Sequence, residues 1–157
     1  MPGQLWKRGL DSGNYASIIS GVALALCGRV ENKSYAAPFN AISHWVWGDD
    51  AFKHDEMDIR HTLLGYGIHH ASAVFWALIY EQATKQRFEE SALKLYRDAA
   101  IISLLACIVD FQITPSRFKP GFEKRLSNKA LVAVYGAFAL GLAWQKISRR
   151  EAPIHTP

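Results

Sequence analysis

The sequence predicts an all-α fold: an integral membrane four-helix bundle with one short aromatic interfacial or re-entrant segment. Two observations carry the prediction. Four runs, residues 12–28, 61–80, 99–116 and 130–145, hold almost no charge, Asp110 being the one break in the third. The charges gather between them, as in Glu81, Lys85, Arg87, Glu89, Glu90, Lys94, Arg97 and Asp98, and again in Arg117, Lys119, Glu123, Lys124, Arg125 and Lys129. A bilayer core about 30 Å thick needs roughly 20 mostly apolar helical residues. The runs therefore place spans at about 12–28, 61–80, 96–114 and 128–146. A soluble helix would instead carry a charged stripe along its length, and residues 61–80 have none.

The composition conceals this pattern. Half of the residues are hydrophobic and 20% are charged, ordinary values for a soluble domain. With no Ser/Gly/Pro-rich linker and no internal repeat, residues 1–157 read as one membrane domain. The formal charge of +4 does not point to nucleic acid, because the basic residues flank apolar runs, where lipid headgroups attract them.

The first helix is expected to start at Asp11 or Ser12, both good N-caps, and to stop at Gly28 as a C′ glycine. Lys7 and Arg8 precede an apolar run, but no small-residue cleavage site follows it, so an uncleaved helix is expected rather than a signal peptide. Its face Ser17, Gly21 and Ala25 has the small-residue spacing that lets membrane helices approach closely. Residues 34–48 follow, with Tyr35, Phe39, Trp45 and Trp47 around a Pro38-Phe39-Asn40 turn signal. Aromatic residues with a polar edge collect at the membrane boundary, which makes this the interfacial or re-entrant segment, with His44, Trp45 and Trp47 as its candidate interfacial residues. Asp55, Glu56 and Asp58 then precede the second span, where negative charge suits the positive end of a helix dipole.

The third helix is expected to begin near Glu89 and to end at Thr114, since the residue before a proline disfavours helix. The turn after it holds Pro115, Pro120 and Gly121 among basic residues. The last span starts after Ser127 and repeats the small-residue device in Ala133, Ala137 and Gly141. The 18 Lys and Arg divide equally between the two sides, so the positive-inside rule leaves the orientation tied.

Few residues carry chemistry. His61, His69, His70 and Asp110 form the candidate polar intramembrane site. Adjacent His69 and His70 point to different sides of their helix. His61 and His69 are about 80° apart around the axis and about 12 Å apart along it, too far to share one metal. A metal site would draw on His69, His70 and Asp110 with loop partners such as His44 or His54. Haem or a transition metal is the alternative to simple hydrogen bonding across the bundle. An ionisable residue inside a membrane is costly and usually paired. Asp110 is therefore expected to accept a hydrogen bond from His69 or His70, or, if it lies at the interface, to pair with Arg117 or Lys119. Cys27 and Cys107 form no CxxC motif and read as buried thiols. His155 lies in a proline-bounded tail. No nucleophile elbow or phosphate loop is present, so no catalytic residue is assigned.

SHWVWG, a helix bearing adjacent histidines, and TPSRFKPGFE ahead of a last small-residue helix together are similar to small bacterial inner-membrane proteins, which implies a multi-pass location in the cytoplasmic membrane. The expected role is structural or accessory, within a homo-oligomer or among other membrane subunits, with the lipid bilayer as partner and no cofactor. A metal- or haem-binding protein is the first alternative, and a small permease or proton-transfer protein the second.

Overall fold

The computed structural model describes residues 2–85 and 91–151. They form six α-helices, with no strand among the described residues: α1 Pro2–Asn32, α2 Ala37–Ile42, α3 His44–Trp47, α4 Leu64–Ala83, α5 Ala92–Ile108 and α6 Asn128–Glu151. A π-helical turn, Ile59–Leu63, leads into α4, and a second, Val109–Ile113, continues α5. Among these residues two helices, Ile59–Ala83 and Asn128–Ser148, are long and apolar enough to cross a membrane. His155 and Glu89 lie outside the described residues.

The helix ends show how tertiary partners displace local rules. The first helix spans 31 residues, far beyond the expected 12–28. Ser12 does not cap it, because its hydroxyl donates to Glu81 Oε1 at 2.6 Å, and Asp11 accepts from Gln145 Nε2 at 3.0 Å. Nor does Gly28 stop it. A Cβ there would stand 2.6 Å from the Pro38 ring, so glycine is present for close packing, and Lys33 adopts the left-handed conformation at the true end (φ 61°). The second apolar helix is capped by Asp58, which accepts from the His61 amide at 2.6 Å. Ser91 caps α5 through the Lys94 amide, and the chain turns extended at Thr114 before Pro115. At α6, Ser127 Oγ accepts from the Ala130 amide at 3.3 Å, while Glu31 from the end of α1 holds the Ser127 amide and hydroxyl at 2.7 and 2.6 Å.

Helix α1 packs on both α4 and α6, and α5 packs mainly on α6 with a lighter contact to α4. Small residues permit the two α1 crossings. A Cβ on Gly13 would come within 2.7 Å of Val74 Cα on α4, and one on Gly141 within 2.5 Å of Ala16 Cα on α1. The expected packing faces are thereby corrected. Ser17 and Gly21 are buried and Ala25 partly so, but Gly9 and Gly13 make the tighter approach to α4. On α6, Gly141 is buried, Ala137 is partly buried and Ala133 is exposed; the inward face is Ala130, Val134, Phe138 and Leu142.

Residues 34–48 fold inward. Every residue of α2 is buried, against α1, α4 and the turn Phe122–Lys124. A Cβ on Gly65 would lie 1.9 Å from the Phe39 carbonyl oxygen, which leaves room only for glycine where α2 crosses α4. The aromatic rim is confined to exposed Tyr35 and Trp47 and half-buried Trp45. Two apolar clusters fill the interior. One forms around Tyr80, Phe138 and Leu142, the other around Leu24, Phe39, Phe122 and Val134.

Candidate functional site

A cleft of about 390 Å³ opens between α4 and the end of α5. These two helices touch little, because each packs mainly on another partner, α4 on α1 and α5 on α6. Ala73, Phe75 and Trp76 form one wall and Ala106, Val109 and Asp110 the other. Val134, Tyr135 and Phe138 of α6 make the floor, and Trp45, Phe118 and Phe122 close one end. The lining is mostly apolar; its polar groups are His69 with Ser20, Asp110 with Tyr135, and the hydroxyls of Ser72 and Thr114.

The adjacent histidines both turn to α1. His69 Nε2 lies 3.0 Å from Ser20 Oγ and 3.3 Å from the Ser17 carbonyl oxygen, and His70 Nδ1 lies 2.8 Å from Ser17 Oγ. The close α1–α4 crossing makes this reach possible on both sides of α4. Asp110 therefore does not pair with a histidine. Its carboxylate accepts from the Tyr135 hydroxyl at 2.6 Å, since α5 rests on α6 rather than on the histidine face of α4. Neither basic residue proposed as an interfacial partner bonds it. Lys119 Nζ donates to the Phe111 carbonyl at 3.0 Å, and Arg117 donates to the Trp45 carbonyl at 3.0 Å. His69 and Asp110 share the cleft, but the trio His69, His70 and Asp110 does not converge on a common point for a metal. Among the described residues, the three-residue group whose ligand atoms do approach, within 4.8 Å of one another, is His54, Asp58 and His61.

His61 accordingly belongs elsewhere, at the head of α4. Its Nδ1 stands 2.9 Å from Asp58 Oδ2, and its ring stacks on His54. The His61 backbone N–H on the Asp58 carboxylate is the largest cause holding that carboxyl below its ordinary pKa. His44 is buried, with Nδ1 2.8 Å from the Ala41 carbonyl oxygen. Its neighbourhood requires Gly121 (φ 89°), where a Cβ would fall 2.5 Å from Ala41 O and 2.7 Å from His44 Nδ1. The indole N–H of Trp45 donates to the Lys119 carbonyl at 2.8 Å and that of Trp47 to the Arg60 carbonyl at 3.0 Å, with the Arg60 guanidinium 4.1 Å above the Trp47 ring. Cys27 and Cys107 are free thiols, both half-buried.

A second polar cluster escaped the sequence reading. Lys146 Nζ of α6 lies 3.1 Å from Glu81 Oε2 of α4, both side chains being buried. Lys146 also donates to the carbonyl and hydroxyl of Thr84, and Ser12 joins Glu81 to Gln145. One signal was available. Ser12, Glu81 and Lys146 each sit at the end of an apolar run, at ends that antiparallel neighbours bring level with one another. No family model matches the chain, and no curated protein or solved structure is similar enough to match it.

Proposed function

We propose that the protein is a multi-pass membrane protein whose cleft between α4 and α5 binds one apolar or amphipathic molecule drawn from the bilayer. The cleft carries this reading. Ligand sites are concave, mostly apolar and marked by a few convergent polar groups, and this one has Asp110–Tyr135 and His69–Ser20 on an aromatic and aliphatic lining. The apolar part of a ligand fits against Phe75, Trp76 and Phe138, and its polar end against the Asp110–Tyr135 pair.

The membrane half of the proposal is supported by an inverted polarity. Helix α1 directs Leu10, Ile18, Val22, Leu26 and Val30 outward, Val30 at 72% exposure, and buries Ser12, Ser17 and Ser20. Only 17% of the most apolar window of α4 is buried within the chain, whereas the core helix of a soluble domain hides its apolar stripe. The outward stripe on α1 also favours a second reading, an accessory subunit that meets other membrane helices there.

The test has two arms. Carbonate-washed membranes should retain the protein, and its release to the supernatant would refute the membrane reading. Native mass spectrometry of detergent-purified protein should show one bound bilayer component. Occupancy should fall at least tenfold in Ala71→Phe, which narrows the mouth of the cleft from an exposed position, and should fall in Tyr135→Phe. Equal occupancy in parent and Ala71→Phe would refute the cleft reading.

A further inference from the structure

The loop before α4 gathers two imidazoles and a carboxylate at one point. The His54 and His61 rings stack with centroids 4.0 Å apart and planes 18° from parallel, and Asp58 Oδ2 lies 2.9 Å from His61 Nδ1. One ligand atom from each of the three residues falls within 4.8 Å of the others. Tetrahedral zinc, with bonds of about 2.0–2.1 Å, sets its ligand atoms roughly 3.3 Å apart. Stacked rings aim their nitrogens side by side, so His54 must turn out of the stack to share a cation with His61. Its side chain is 41% exposed and has room to do so, while His61 is packed at 7%.

Chance juxtaposition on a floppy loop would not be built as this loop is. Fully buried Asn40 ties its two halves together, its amide donating to the His54 carbonyl at 2.9 Å and to the Glu56 carbonyl at 2.8 Å. The Asn40 carbonyl oxygen accepts from Thr62 Oγ1 at 2.6 Å, and that hydroxyl accepts from the Asp58 amide at 3.0 Å. One core side chain thus fixes the backbone beside His54 and, through Thr62, beside Asp58. Arg125 adds bonds to the Phe52 carbonyl and the Asp55 carboxylate, and Ser34 to the Asp55 carbonyl. The outer partners follow the same logic. Asp50 Oδ2 stands 3.3 Å from His54 Nε2, the carboxylate–imidazole contact that orients metal-ligating histidines.

We propose that His54, Asp58 and His61 bind one divalent transition-metal cation at the head of α4. Two neutral imidazoles and one carboxylate are a donor set for Zn²⁺ or Fe²⁺ rather than for Mg²⁺ or Ca²⁺, which prefer all-oxygen shells. Three protein ligands leave the remaining coordination positions to water or a small anion. The site lies on the rim beside Trp47 and Arg60, apart from the cleft, so it stands or falls independently of what the cleft holds.

Cobalt(II) serves as a coloured probe for titration of the tag-free, detergent-purified chain, followed by competition with Zn²⁺. The parent should bind one Co²⁺ with visible bands that Zn²⁺ abolishes, and Zn²⁺ should raise its melting temperature. Asp58→Asn keeps an acceptor for the His61 amide, and His54→Gln changes a half-exposed side chain, so both variants should fold. Each should weaken binding at least ~10-fold and lose the thermal shift, while Lys129→Gln, an exposed change at the start of α6, leaves both unchanged. A parent spectrum identical to that of the aquo ion, or His54→Gln binding as tightly as the parent, would overturn the assignment.

Discussion

Replacing Glu81 by alanine removes the carboxylate that faces a buried ammonium. At the 3.1 Å separation of Glu81 Oε2 and Lys146 Nζ, an effective dielectric near 20 gives an attraction of about 5 kcal/mol. Burial of the two charges costs several kcal/mol each, so the intact pair contributes little net stability. Without Glu81 the ammonium retains the Thr84 carbonyl at 3.3 Å, the Thr84 hydroxyl and the face of Tyr80 at 4.9 Å. These neutral groups offset only part of the desolvation. The loss for Glu81→Ala should be about 3–5 kcal/mol, and Lys146→Met should cost a similar amount, because either change removes the opposite charge in direct contact with a buried one. The double substitution Glu81→Met/Lys146→Met should cost much less than the sum, since both charges go together and Ser12 keeps Gln145 at 3.2 Å. Unfolding in detergent, followed by circular dichroism for the four proteins of the cycle, measures the coupling. A loss below ~1 kcal/mol for Glu81→Ala, or additive single effects, would refute the buried-pair argument.

Gly141→Ala should destabilise by about 1–3 kcal/mol, because its Cβ would stand 2.5 Å from Ala16 Cα and 2.8 Å from the Tyr15 carbonyl oxygen, backbone that yields little. Gly136→Ala, with nothing within 4 Å, should instead gain up to ~1 kcal/mol of helix propensity; equal melting of the two variants would show that α1 and α6 do not cross at Gly141. The Ser127 hydroxyl, followed by its backbone N–H, holds the Glu31 carboxyl below its ordinary value of 4.5. A depressed carboxyl contributes stability above the unfolded value and loses it as pH falls through the folded one. Melting of the parent should therefore drop below about pH 4.5 more than that of Glu31→Gln, by less than ~1 kcal/mol for so exposed a group. Superimposable pH profiles for the two proteins would remove the clasp.

The apolar runs were legible because hydropathy reports burial or lipid contact without reference to partners. What depended on partners was not. Ser12 and Gly28 have the residue types of a helix start and stop, yet one bonds Glu81 and the other seats Pro38, so α1 runs through both. Asp110 stood out as a carboxyl in an apolar run, but whether it faced α4 or α6 depended on helix rotation, and it found Tyr135. His69 and His70 were visible as polar residues in an apolar helix, whereas of their serine partners on α1, Ser17 had read only as a small packing residue and Ser20 carried no signal. The His54–Asp58–His61 group was hidden for another reason. Its geometry comes from the fold of a loop around Asn40, to which no periodicity applies.

The Glu81–Lys146 pair also sets a condition on how the chain is made. Glu81 enters at the end of α4 and Lys146 only near the end of α6, so Glu81 is synthesised well before the ammonium that it pairs with. Helix α1 can dock on α4 through Gly9 and Gly13 at once, but the slot on its other face stays vacant until Gly141, Gln145 and Lys146 arrive. A chain arrested before α6 therefore holds a half-built interface, in which Glu81 keeps the Ser12 hydroxyl but lacks Lys146. The last helix thus brings Gln145 and Lys146 to a polar cluster whose other members, Ser12 and Glu81, the first two long helices already carry.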